Sequence, residues 1–160
     1  SMKFLVAVVL SVLFISCVSK KHTVVLKTQL YHPYCGGAAP TPEQMKGYYT
    51  PMDKSIVLVR TKDTVEVSDQ NGEAIFKLRE GAYQWFQSAK FMKTTRMYAL
   101  FSSLGENFTV EDMSCIDSWK ETPDGAFNVS AESDTVFLTL RLNCYTKLMP
   151  CIKYVGPKYQ

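Results

Sequence analysis

Apolar and polar positions alternate along much of this chain, and the period is mostly that of strands. After the polar Val18-Ser19-Lys20-Lys21 the run Thr23-Val24-Val25-Leu26 predicts a first strand. Thr41 as N-cap, Pro42 at the first helical position and Gln44 at the third predict a short helix to Lys46. Gly47 ends that helix and Pro51 forbids its resumption. Ile56 to Val59 is a continuous apolar strand, and Thr64 to Val67 alternates. Asn71-Gly72 predicts a hairpin turn, because both central residues of a type I′ turn need positive φ. Beyond it Ala74, Phe76 and Leu78 share one face, Glu80-Gly81 turns the chain, and Tyr83 with Trp85 begins another strand.

The second half is less regular. Lys90 to Gly105 has apolar area without a clean period and reads as one strand and a loop, and Thr109, followed by Glu111 and Asp112, is placed to cap a short helix through Trp119. Pro123-Asp124-Gly125 is a turn, Phe127 to Ser130 a strand, and Thr135 to Cys144 a strand with Val136, Leu138, Leu140 and Leu142 on one face. The whole predicts a mainly β domain, a single sandwich of about seven strands with one or two short helices.

Composition narrows the class. At 160 residues and 46% hydrophobic, the chain can bury one core. A net charge of +3 without clustered Lys and Arg argues against a nucleic-acid partner. No apolar run reaches the roughly 18 residues that span a bilayer. Lys3 followed by the apolar stretch Phe4 to Ile15 has the layout of an export signal, with Ser1 a cloning remnant before Met2.

Leu13-Phe14-Ile15-Ser16-Cys17 resembles a bacterial lipobox, although Phe14 stands where such signals usually carry Leu. The resemblance implies a leader over residues 1–16, a lipid on Cys17, a tether over 17–22 and a folded domain over 23–160. The competing readings are ordinary cleavage after Ser19 and a buried N-terminal strand in a cytoplasmic chain. Either export route leaves four of the five cysteines, Cys35, Cys115, Cys144 and Cys151, an even set suited to two disulfides in an oxidising compartment. Four cysteines allow three pairings. Cys35 follows the first strand and Cys151 the last, while Cys144 ends a strand able to reach Cys115, so Cys35–Cys151 with Cys115–Cys144 is slightly favoured over a local Cys144–Cys151 bridge.

The run Ser68 to Tyr83 is similar to the D-x-x-G hairpin of prealbumin-like sandwiches, which include Cna-B-type repeats and carboxypeptidase regulatory domains. Tyr34 to Glu43 and Pro150 to Pro157 resemble segments of small exported Bacteroidota proteins. That likeness implies a prealbumin-like fold and brings no activity with it. By resemblance to lipoproteins of that group, the basic residues after Cys17 favour the periplasmic face over the cell surface.

Candidate chemistry is sparse. Of the two histidines, His22 falls in the tether, leaving His32 as the sole base for a hydrolase, with no nucleophile elbow in sight. His32 with Cys35 could contribute to a zinc site, but no cysteine pair has the short spacing of zinc loops, so no metal or other cofactor is expected. Glu66, Glu73, Glu111, Asp112 and Asp117 read as a solvated face or as caps. Tyr48, Tyr49 and Trp85 would form a ligand platform if exposed together. The expected function is that of a non-enzymatic envelope lipoprotein acting as a binding or structural module, with no catalytic residues, meeting the membrane through its lipid and an envelope protein or glycan as partner. The alternatives are a carbohydrate- or peptide-binding accessory domain using the aromatic patch, and a small hydrolase around His32.

Overall fold

A computed structural model of the chain describes residues 20–52, 55–61, 63–67 and 71–157. Cys17 and the leader lie outside the described residues.

The long strand β1 (Lys21–His32) organises the first sheet. Its first half pairs antiparallel with β5 (Glu73–Arg79) and its second half with β2 (Tyr48–Pro51). On its other side it pairs parallel with β9 (Thr135–Arg141), from Val25 opposite Thr135 to Tyr31 opposite Arg141. The second sheet runs β4 (Asp63–Val67), β3 (Ile56–Arg60), β6 (Gly81–Gln87), β8 (Gly125–Val129). One face of each sheet is apolar, and the two faces close on one core. Val24 and Leu26 of β1, Ala74 and Leu78 of β5, and Leu138 and Leu140 of β9 meet Ile56 and Leu58 of β3, Tyr83 and Trp85 of β6, and Val129 of β8. The alternation read in the sequence is thus the division between core and solvent, and the chain is mainly β in a two-sheet sandwich.

A second, smaller core lies beside it. Ser88–Phe91 forms a 3₁₀ turn, followed by α2 (Thr94–Ser102), β7 (Phe108–Val110) and α3 (Met113–Glu121). With β10 (Ile152–Tyr154), which pairs antiparallel with β7, these elements enclose Met97, Ile116, Met149, Cys151 and Ile152. The short helix α1 (Pro42–Met45) has the predicted cap, reciprocal hydrogen bonds between Thr41 and Gln44.

Several expectations need correction. The described residues hold ten strands rather than about seven, because β2, β7 and β10 are short pairings with weak sequence signals, and three α-helices rather than one or two. Lys90 to Gly105 is mostly helical. Its period is blurred because Met97 is buried and Phe101 half-buried while Tyr98, Leu100 and Leu104 face solvent. Thr109 lies in β7, and Asp112 caps α3 instead, its carboxylate accepting from the Cys115 N–H. β1 begins at Lys21, so His22 belongs to a strand, opposite Leu78. Asn71 and Gly72 do take positive φ, 59° and 74°, yet they close no hairpin. β4 pairs with β3 and β5 with β1, so the turn carries the chain from one sheet to the other. Gly72 allows this passage: a Cβ there would stand 2.7 Å from the carbonyl of Thr28, whose N–H bonds to the carbonyl of Gly72.

The cysteine pairing also differs. Cys35 joins Cys144 with Cα atoms 5.4 Å apart, and Cys115 joins Cys151 at 5.8 Å. The reason is the parallel ladder. Because β9 runs alongside β1, the two strands end at the same edge of the sandwich and bring Cys35 and Cys144 together. β10 pairs with β7, which leads directly into α3, so Cys151 meets Cys115 in the first turn of that helix. Two structural disulfides mark a non-cytoplasmic chain.

Candidate functional site

Where β1 and β9 end, the sandwich opens into a cleft of about 620 Å³. Its lining joins Leu142, Pro33 and the Cys35–Cys144 bridge to His32, Tyr48, Glu43, Gln44, Asn143 and Lys147. The volume suits a small ligand, and mostly apolar walls with a few convergent polar groups are the common character of such sites.

Local sequence explains the walls. After Cys35 the chain loops out, the capped α1 turns it back, and Gly47 at φ 62° passes tightly against β1. A Cβ on Gly47 would stand 2.4 Å from the carbonyl of His32, so only glycine lets β2 start where it does. The resulting register sets Tyr48 opposite His32. Their rings stack with centroids 4.4 Å apart and planes 4° from parallel, and His32 Nε2 lies 2.8 Å from Thr50 Oγ1. The imidazole is thus held on one face and at one nitrogen, and it braces a tyrosine that remains 60% exposed.

The predicted platform of Tyr48, Tyr49 and Trp85 does not form. Neighbouring strand residues point to opposite faces, so Tyr48 lines the cleft while Tyr49 packs beside Tyr31 on the outer face of the first sheet. Trp85 faces the core from β6 and is 3% exposed, so it is a core residue and no ligand surface. Glu43, Gln44, Asn143 and Lys147 were missed by sequence reasoning. The capping pattern marked the helix that carries the first two, but no local signal shows that β9 would run parallel to β1.

The other candidates resolve into structural parts. Glu73 pairs with Lys27 at 3.5 Å and Glu111 with Lys153 at 2.7 Å, and Asp117 accepts a hydrogen bond from Thr94 Oγ1. The Asp112 carboxyl is held below its ordinary pKa by the Ser114 hydroxyl and then by the Cys115 N–H, while the Glu111 carboxylate raises the Lys153 ammonium above its own. His22 Nε2 stands 2.7 Å from Glu80 Oε1, an ion-pair distance without hydrogen-bonding angles. Among the described residues no group of three His, Cys, Asp or Glu side chains is placed to hold a metal ion, and no helix is long and apolar enough to cross a membrane.

One buried polar cluster has no counterpart in the sequence reading. Lys90 Nζ lies 2.8 Å from Asp124 Oδ1 and donates to the carbonyl of Thr122 at 2.7 Å, with the Trp119 ring centroid 4.9 Å away. Asp124 also accepts from the Gln87 N–H and from Gln87 Nε2. This cluster sits where the chain leaves the sandwich after β6 and returns to it at β8.

No family model matches this chain, and no curated protein or solved structure matches it.

Proposed function

We propose that the protein is an exported, non-enzymatic binding module of the bacterial cell envelope, anchored through a lipid on Cys17, and that a carbohydrate occupies the cleft between β2 and the end of β9. The prealbumin-like class and the kinship with small exported Bacteroidota proteins are part of this reading. The observation that carries it is the Tyr48 ring, stacked on His32 and 60% exposed at the rim of a cleft lined also by Glu43, Gln44 and Asn143, which supply a carboxylate and two amides. An aromatic face takes the C–H side of a sugar ring, and planar carboxylate and amide groups bind its hydroxyls. A hydrolase draws less support. The ring of His32 is engaged by Thr50 and Tyr48, and the two cysteines at the cleft are bonded to each other, leaving neither as a thiolate.

The test is a titration of oligosaccharides followed by amide chemical shifts. Binding should perturb residues 43–48 and 142–147, Tyr48→Ala should weaken it about tenfold, and Tyr49→Ala should leave it unchanged. Loss of binding in Tyr49→Ala with Tyr48→Ala intact would move the site to the outer sheet face and end this reading. Mass spectrometry of the protein from its native membrane should show an acylated N-terminal Cys17. An unmodified terminus at Lys20 would mean ordinary secretion.

A further inference from the structure

We propose that the open edge of β9 is a self-association surface, along which two copies of the chain pair antiparallel about a two-fold axis into one continuous sheet. The inference is independent of the cleft and rests on the ladder at the side of the first sheet.

Among the described residues β9 has one neighbour, β1. The Leu142 N–H donates to the Tyr31 carbonyl and the Asp134 carbonyl accepts from the Val25 N–H, so even-numbered positions turn their backbone groups toward β1. In a strand successive residues bond to opposite sides. Thr135, Phe137, Thr139 and Arg141 therefore present their N–H and C=O groups to the open edge.

Edge strands are normally blunted by charge, proline, bulges or shortness. β9 has none of these over most of its length. It is seven residues long, Thr-Val-Phe-Leu-Thr-Leu-Arg, and its one charge is at the last position. By contrast β4 carries Asp63 and Glu66, β5 carries Glu73, Lys77 and Arg79, and β8 has only five residues and opens on glycine. Phe137, 62% exposed on the outer face, adds apolar area beside this edge.

Charge selects a second copy as the occupant. Glu132 and Asp134 precede β9 and Arg141 ends it, so antiparallel self-pairing sets the acidic end of each copy beside the basic end of the other, twice over. Parallel pairing would set like beside like. A two-fold axis perpendicular to the sheet also keeps faces matched: Phe137 and Thr139 of the two copies meet on the outer face, and Leu138 and Leu140 remain on the core side.

Sedimentation equilibrium on the disulfide-bonded, processed chain should show a concentration-dependent mass rising to two protomers. Hydrogen exchange should slow with concentration at the amides of Thr135, Phe137, Thr139 and Arg141, while those of Val136, Leu138 and Leu140 stay protected throughout. Phe137→Glu puts like charge on both sides of the two-fold axis while facing Lys27 within its own sheet, and should weaken the dimer about tenfold or more without lowering the melting temperature of dilute, monomeric protein. Thr135→Pro deletes an outward N–H without touching the bonds to β1 and should do the same. A monomer at every concentration overturns the proposal, as does a dimer whose Phe137 and Thr139 amides exchange freely.

Discussion

The sandwich and the small lobe beside it stay folded by different means. The sandwich buries side chains from strands spread over most of the chain, and neither disulfide joins its two apolar faces. Among the described residues the lobe encloses five buried residues, one of them a half-cystine, with Phe101, Phe108 and Trp119 among the half-buried side chains packed on them. So small a core draws correspondingly less stabilisation from apolar burial than the sandwich does. The lobe is tied instead, by the Cys115–Cys151 bridge across it and by the Lys90–Asp124 pair at its root. What the sandwich gains from area, the lobe gains from a few specific bonds, so single substitutions should separate the two.

The largest effect is expected at the root. Asp124 answers three donors, Lys90 Nζ, the Gln87 N–H and Gln87 Nε2, and its side chain is almost fully enclosed. Asp124→Ala strands a buried ammonium and should cost about 3 to 5 kcal/mol, measured by denaturant unfolding. Lys90→Met removes the charge and keeps a similar stem, leaving Asp124 still bonded to Gln87, and should cost clearly less. Equal costs would mean that the pair acts as a simple ion bridge and that Gln87 contributes nothing.

Next comes the bridge across the lobe. Removing Cys115–Cys151 by paired Ala substitutions frees a loop spanning 36 residues, for which the chain-entropy account gives about 4 kcal/mol, with measured values often smaller. Hydrogen exchange should rise in α2 and α3 before it rises in β3 and β6. If all four elements exchange together, the lobe and the sandwich are one cooperative unit and the contrast between them fails. The other bridge differs in access: Cys35 is exposed whereas Cys151 is fully buried. Under mild reductant with alkylation, Cys35 and Cys144 should be labelled first, and any ligand of the cleft should lose affinity while α2 and α3 keep their protection.

Much of the sandwich was legible because its strands are half-buried, and burial of one face writes itself into every second residue. Val136, Leu138 and Leu140 announced β9, and Ala74 and Leu78 announced β5, without any knowledge of their partners. Pairing partners were not legible, since the same alternation fits any neighbour. The sequence therefore supported a hairpin at Asn71-Gly72, where the chain in fact changes sheets, and a disulfide pairing that the parallel β1–β9 ladder reverses. The lobe was harder still, because a helix with only Met97 fully buried leaves little period to read. Of the cleft, the sequence marked Tyr48, His32 and the capped helix, each by a local rule. That they converge depends on the end-to-end alignment of strands that are about a hundred residues apart, as the 109-residue separation of Cys35 and Cys144 records.

The smallest expected effect tests whether the cleft wall is energetically separate from both cores. α1 is four residues long and buries none of them, so its geometry depends on its cap. The Thr41 hydroxyl accepts from the Gln44 N–H at 3.3 Å, and Gln44 Oε1 accepts from the Thr41 N–H at 2.9 Å. Thr41→Ala removes the first bond and loosens the second, at a local cost of about 1 kcal/mol. Because no core residue is anchored there, the unfolding midpoint should barely move. Hydrogen exchange over residues 43–47 should quicken, and binding in the cleft should weaken modestly as Glu43 and Gln44 lose their fixed direction. Thr41→Ser restores the hydroxyl and should restore both. A midpoint shift as large as that of Asp124→Ala would show that the cleft wall holds the fold together, and the division into a self-sufficient sandwich and a tied lobe would have to be redrawn around α1.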